Sequence, residues 1–206
     1  MKSRRSLIKQ IAVTFIASVV LLSLGAAAQE TRSEISVEGT GFFTANSSGN
    51  GIQNQATNTG GFLIGYRYNI NRRLAAEANY GYDRNTQIYS GPVFGRVQSN
   101  ISQLTGSAVV KLPGLGKVEP YALGGGGALI FDPTNNPGGA FPGATLQAKG
   151  AFVYGAGADY AFMRHVSLRL EYRGYVSQVP DFNVASLHAN SWTNIAQPSA
   201  GLVFRF

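Results

Sequence analysis

The sequence predicts an all-β protein, an eight-stranded antiparallel up-and-down transmembrane β-barrel, and three observations carry that prediction. First, charges keep to one side of each strand-like alternation. Between Val166 and Val176, the residues Val166, Leu168, Leu170, Tyr172, Gly174 and Val176 interleave with Ser167, Arg169, Glu171, Arg173 and Tyr175, and successive side chains of a strand point to opposite faces. One face is uncharged and the other ionic. A soluble barrel would place its charges outside and its aliphatics inside, whereas here the Tyr- and Phe-bearing face has no charge to hold it in water. Second, tight turns alternate along the chain with long polar links, as they do at the two rims of a membrane barrel. Third, 26 Gly, 10 Tyr and 12 Phe with only 13% charged residues suit a single all-β domain in 206 residues.

Residues 1–28 are expected to be a signal peptide, leaving a barrel domain over 29–206. Lys2, Arg4, Arg5 and Lys9 form a basic start, Ile11 to Leu24 an apolar stretch, and Gly25 to Ala28 a small-residue cleavage site before Gln29. The apolar run falls short of the roughly 20 residues of a spanning helix, so any membrane crossing is by strands. Ser3 to Lys9 also resembles a twin-arginine export pattern. The Ile-, Val- and Leu-rich core and the lack of a basic residue near the cleavage site favour general secretion. The chain's net charge of +7 comes largely from this leader: with its four cations removed, 13 of the 17 basic residues remain against 10 acidic ones. No basic run with interleaved aromatics is left, which argues against a nucleic-acid partner. The absence of Cys excludes a lipid-modified cysteine and a disulfide framework.

Eight alternating segments follow in order. Ile35 to Thr44 turns Glu38 inward. Gly60 to Ile70 sets Phe62, Ile64, Tyr66 and Tyr68 against Arg67, and Leu74 to Asp83 sets Leu74, Ala76, Ala78, Tyr80 and Tyr82 against Glu77 and Asp83. Ile101 to Leu112 contributes Lys111, Val118 to Phe131 a run of four glycines, and Ala148 to Phe162 contributes Asp159. His165 to Gln178 is the segment described above, and Asn194 to Phe206 ends with Leu202, Phe204 and Phe206 against Arg205. The tight turns are Asn71 to Arg73, Pro113 to Lys117, and Met163–Arg164. The long links are Ala45 to Asn58, Arg84 to Asn100, Asp132 to Gln147 and Val179 to Thr193, whose Asn, Gly, Ser and Pro content reads as exposed, mobile surface. The sheet must close, because an open edge facing hydrocarbon costs several kcal/mol per unpaired backbone group. Pro120 and Pro198 fall near strand beginnings, where a missing donor is tolerated.

Several runs carry a family resemblance: Gly65 to Tyr68, Gly155 to Tyr160, Arg164 to Arg173, and the terminal Gly201 to Phe206. Together they resemble the OmpA-type eight-stranded outer-membrane β-barrel domain, over essentially all of the chain after the leader. The resemblance implies a cell outer membrane location, with short turns and both termini periplasmic and long loops extracellular. Its implied partners are outer-membrane lipids and the barrel assembly machinery, with the terminal strand, Leu202, Phe204 and above all Phe206, as the assembly signal. OmpA itself continues into a soluble peptidoglycan-binding domain, whereas this chain stops at the barrel, so cell-wall tethering is not implied.

Parity turns Glu38, Arg67, Glu77, Asp83, Lys111, Asp159, Arg169, Glu171, Arg173 and Arg205 into the lumen. An eight-stranded barrel is just wide enough for side chains to fill it, so these charges are expected to pair and occlude it. Gly124 and Gly126, with Gly65, Gly81, Gly155 and Gly157, are read as lumen-facing room for long side chains; no Lys-Ser/Thr follows Gly124 to Gly127 to make a phosphate loop. Catalysis has little to build on. His188 and Ser191 lack the spacing and the following acid of outer-membrane lipid A deacylases, and neither histidine has metal-ligand neighbours. The reading is a non-enzymatic outer-membrane barrel without cofactors, with a structural or surface-interaction role and an extracellular partner the sequence does not name. The alternatives are a narrow low-conductance channel and, further off, a lipid-modifying enzyme.

Overall fold

The computed structural model describes residues 32–91, 94–135 and 141–206; the expected leader and its cleavage point lie outside the described residues. Ten strands form: β1 (Ser33–Thr44), β2 (Ser47–Gly49), β3 (Ile52–Ala56), β4 (Thr59–Asn69), β5 (Leu74–Ser90), β6 (Gly95–Lys111), β7 (Val118–Pro133), β8 (Gln147–Ala161), β9 (Val166–Gln178) and β10 (Trp192–Arg205). Eight of them, β1 and β4 to β10, make a closed antiparallel ring, each paired with its neighbours in the chain and β10 returning to β1 from Glu34↔Arg205 to Thr44↔Ile195. Closure satisfies the backbone groups that hydrocarbon would leave bare.

Leu168, Leu170, Tyr172, Leu202, Phe204, Phe62 and Tyr68 are exposed on the outer wall, while Arg67, Arg169, Arg173, Glu77 and Asp159 are buried within. Neighbouring outer aromatics touch: Phe62 stacks on Tyr82 at 6.0 Å and meets Tyr80 at 6.4 Å. The tight turns close locally. Asn71 accepts the amides of Arg73 and Leu74 on its side-chain oxygen, each at 2.8 Å, a turn that an Asx side chain makes unaided.

The long links differ from expectation in three places. Arg84 to Asn100 is mostly strand: β5 and β6 run on as a hairpin, with Arg84↔Asn100 to Tyr89↔Gly95 in register. The continuation carries polar residues on both faces, Arg84, Arg96 and Gln98 outward and Asn85, Gln87 and Ser99 inward, so alternation fades although pairing does not. Ala45 to Asn58 folds as the β2–β3 hairpin, turned by Asn50 and Gly51 at φ 50° and 74°, the Asn-Gly pair that a two-residue hairpin favours. β3 then pairs with the upper end of β5. Val179 to Thr193 is not simply exposed: Val179, Phe182, Leu187 and Ala189 are buried, and residues Ala185–Leu187 make one 3-10 turn.

Two further expectations need correction. Gly124 and Gly126 face outward; the inward positions of β7 are Tyr121, Leu123, Gly125 and Gly127, opposite the inward Ser107 and Thr105 of β6. Inward Glu119 and Tyr121 fix that phase. Pro198 lies seven residues into β10, not near its start, and the β1–β10 pairing skips from Thr40↔Ser199 to Phe43↔Ala196 around it. Proline has no N–H to complete the ladder there.

Candidate functional site: the lumen

The lumen is built in two layers. Toward the short-turn rim, strands β1, β4, β5, β8 and β9 each turn charged side chains inward at neighbouring levels, because their register sets Glu34 beside Arg67, Arg67 beside Glu77, and Asp159 beside Arg169. Arg67 Nε donates to Glu77 Oε2 at 2.5 Å, and Arg173 Nη2 to the other Glu77 oxygen. Arg169 clasps Asp159 through Nε at 2.7 Å and Nη2 at 2.8 Å, the paired geometry guanidinium shares with carboxylate. Arg173 Nε donates to Glu171, and Arg169 Nη1 lies 3.5 Å from Glu77. Arg205 Nη2 reaches Glu119 at 2.7 Å and Asp159 at 3.5 Å, and Lys111 meets Glu34 at 3.0 Å at the mouth.

Three participants lay outside the sequence reading. Glu34 joins Lys111, Arg67, Arg169 and Arg205 within 4 Å; it stands one residue before the expected strand start, yet shares the phase of Glu38. Glu119 carries the same inward parity on β7. Tyr121 donates from its hydroxyl to Glu171 at 2.6 Å, while Arg67 lies over its ring at 4.2 Å and Arg169 at 5.3 Å. Gly157 makes room for that ring, since a Cβ there would stand 2.5 Å from the Tyr121 hydroxyl oxygen.

Not every expected member joins. Glu38 accepts from Ser199 Oγ at 2.5 Å and reaches only Arg169 among the cations, at 3.9 Å. Asp83 sits apart: Gln103, Gln197 and Thr40 donate to it at 2.6, 3.3 and 3.4 Å, with no cation in ion-pair range among the described residues. Above that level an apolar cluster forms, with the polar side chains of Asn85, Gln87 and Ser99 buried beside it. Phe42, Val97, Ile101, Leu129, Phe131, Val153 and Ile195 are buried together, with Ile52, Phe182 and Leu187 folded over them from the links. Phe182 meets Phe131 edge-on at 6.3 Å. The sequence reading, which expected paired charges to fill the lumen, did not contain this apolar cluster.

The link between β9 and β10 is clasped down by polar groups. Gln147 accepts the amides of Asp181 and Phe182 and donates to Asp181 Oδ1, and Tyr89 donates to the Pro180 carbonyl. His188 Nδ1 and Asp181 Oδ2 share a hydrogen bond at 2.6 Å. The acid that sequence order denied to His188 is thus supplied from seven residues upstream. Ser191 Oγ is buried without a hydrogen-bond partner among the described residues, so the hydroxyl is not joined to that pair.

A closed ring of eight strands, with an uncharged apolar wall outside and charges folded within, defines a transmembrane β-barrel of the cell outer membrane. The chain belongs to the outer membrane protein beta-barrel domain family, whose model matches residues 14–206. Solved barrels superpose on it despite low identity. Neisserial surface protein A matches at 17% identity and TM-score 0.60, covering 84% of this chain and 97% of that one. OprG of Pseudomonas aeruginosa matches at 15% and 0.58, covering 86% and 97%. Ail, the attachment invasion locus protein of Yersinia pestis, matches at 17% and 0.51, covering 86% and 100%. No curated protein matches the chain in sequence.

Proposed function

We propose that this barrel is an occluded outer-membrane protein with a structural or surface-interaction role, its short turns and both termini periplasmic and its long loops extracellular. The observation that carries the proposal is the filling of the lumen: an ion-paired layer toward the short turns, and above it Phe42, Ile101, Leu129, Phe131 and Phe182 packed together, each at most 2% exposed. A pore needs a continuous polar path, and buried aliphatic and aromatic side chains interrupt it. Ail also has a structure with the heparin analogue sucrose octasulfate; for this chain the surface role rests on its folded β2–β3 and β5–β6 hairpins, which give the loop end a defined relief.

In the same reading residues 1–28 are a cleaved signal peptide, and Leu202, Phe204 and Phe206 are read by the barrel assembly machinery. Outward Leu202 and Phe204 and the exposed Phe206 support the latter. The His188–Asp181 pair serves as a loop clasp, not as a catalytic pair.

A second reading, a narrow channel, has one observation in its favour: Arg67 Nη1 and Nη2 and Arg173 Nη1 have no hydrogen-bond partner among the described residues, leaving places for water in the ionic layer. Planar-bilayer recording of the refolded protein separates the two. Occlusion gives little or no conductance, whereas steady conductance that rises when Phe182 and Leu187 are replaced by Ser establishes the channel.

A further inference from the structure

The outer ends of the barrel differ in charge, and the difference follows the turns. Arg72 and Arg73 sit on the β4–β5 turn, Lys117 on the β6–β7 turn and Arg164 on the β8–β9 turn, all exposed. None of the four is in an ion pair among the described residues; Glu119, a partly exposed acid at this rim, is occupied by Arg205. Each cation is flanked by large exposed apolar side chains: Ile70 and Leu74 beside Arg72 and Arg73, Leu115 beside Lys117, and Phe162 and Met163 beside Arg164. At the opposite end charges of both signs occur, with Lys149 3.9 Å from Asp181 and Arg84 held by Asn100.

We propose that the short-turn rim is a docking ring for the headgroups of anionic phospholipids in the leaflet it faces. The turns are spaced every second strand around the closed sheet, so the cations form a ring and not a patch. Their apolar neighbours set the depth. A turn carrying exposed Leu, Ile, Phe or Met rests at the edge of the hydrocarbon, and long basic side chains beside it extend to the phosphates. With the ionic layer's charges paired among themselves, these four cations have no ion-pair partner among the described residues and are placed to meet an anion outside. The proposal goes beyond the occluded-barrel reading and does not depend on whether the lumen conducts.

The test is lipid retention. The refolded protein is reconstituted in vesicles of equimolar phosphatidylglycerol and phosphatidylcholine, extracted in mild detergent, and its bound lipids counted by native mass spectrometry. Wild type retains phosphatidylglycerol preferentially. Since each cation near an anionic surface is worth roughly a five-fold preference, the variant Arg72→Gln/Arg73→Gln/Lys117→Gln/Arg164→Gln loses at least about ten-fold of it, while Arg84→Gln/Arg96→Gln keeps it. The gel shift between unboiled and boiled samples confirms folding. If the quadruple variant does not fold, the three single-turn variants replace it, each lowering the ratio by several-fold. Equal retention of both lipids by wild type, unaltered preference in the turn variants, or an equal loss on changing the opposite rim overturns the proposal. So does a wild type that ignores lipid charge yet captures an acidic protein through these turns.

Discussion

Glu77 is the carboxylate on which the ionic layer turns, and truncating it to Ala tests whether that layer holds the barrel together. Its side chain is inaccessible to solvent, Arg67 Nε lies 2.5 Å away, Arg169 Nη1 3.5 Å, and Arg173 Nη2 donates to its other oxygen. Breaking a buried pair costs about 3–5 kcal/mol. Each guanidinium retains a second carboxylate, Arg67 at 3.6 Å from Asp159, Arg169 in its clasp with Asp159, and Arg173 with Glu171, so the lower end applies, about 3 kcal/mol. That is roughly a hundred-fold in the folding equilibrium at 1.4 kcal/mol per decade. Asp83→Asn is the control: its carboxylate accepts only from neutral groups, and the loss stays near the 0.5–1.5 kcal/mol of an ordinary hydrogen bond, or about that. Urea titration of protein refolded into vesicles, followed by the gel shift and by the emission of Trp192, the one Trp in the chain, measures both. A Glu77→Ala barrel no weaker than Asp83→Asn would refute a stabilising ionic layer.

Leu170→Arg puts a charge on the outer wall, where Leu170 is 57% exposed, at a cost of about 2–4 kcal/mol near the bilayer midplane; Asn135→Arg in a loop is silent, and comparable amounts of inserted protein in cells rule out the wall assignment. Removing Phe206 lowers the rate of insertion in cells and leaves assembled barrels intact, while an unchanged rate contradicts its role in assembly. Pro198→Val restores a donor facing β1 and stabilises the barrel by about the 1 kcal/mol of one hydrogen bond, read as a higher urea midpoint; a fall in the midpoint shows that the gap in the ladder is needed. Burial works to raise the pKa of Asp181, yet its hydrogen bonds with His188, Gln147 and the Asn183 amide, with Lys149 nearby, bring it below the usual carboxylate range. A carboxyl lowered on folding contributes stability above its unfolded pKa and loses it as pH falls through the folded one. The clasp therefore loosens only below about pH 4, seen as a change in Trp192 emission that Asp181→Asn shows already at neutral pH; emission constant from neutral to acid in wild type removes the clasp.

The parts of this structure that were legible in the sequence are those where chemistry alternates. Leu168 to Arg173 betrays both faces of β9, because lipid and lumen make opposite demands on successive residues, and one such strand fixes the phase of its neighbours. Where a strand leaves the membrane that contrast ends, which is why Arg84 to Ser90 and Gly95 to Asn100 read as a loop although their backbones pair throughout. The β2–β3 hairpin did leave a signal in Asn50–Gly51. The apolar cluster was hidden for a different reason: Ile101, Leu129 and Val153 are aliphatic on a face expected to be polar, and parity alone cannot tell a lumen filled by ions from one filled by oil. The Asp181–His188 contact is local, seven residues apart within one link, whereas the partners of Glu34 were missed because proximity in a closed ring is unrelated to distance along the chain.

That last property bears on how the barrel is made. Glu34 meets Lys111 across 77 residues and Arg169 across 135, and Arg173 meets Glu77 across 96. No single hairpin contains these pairs, and the contacts of Glu34 with Arg169 and Arg205 bridge the seam, so they form only when β1 reaches β10. A slip of one residue at that seam would turn every side chain to the wrong face, sending Glu34 and Arg205 into hydrocarbon. The network therefore rewards a single alignment and penalises its neighbours, acting as a proofreading step on ring closure and making assembly all-or-none late in folding, when the most distant contacts form.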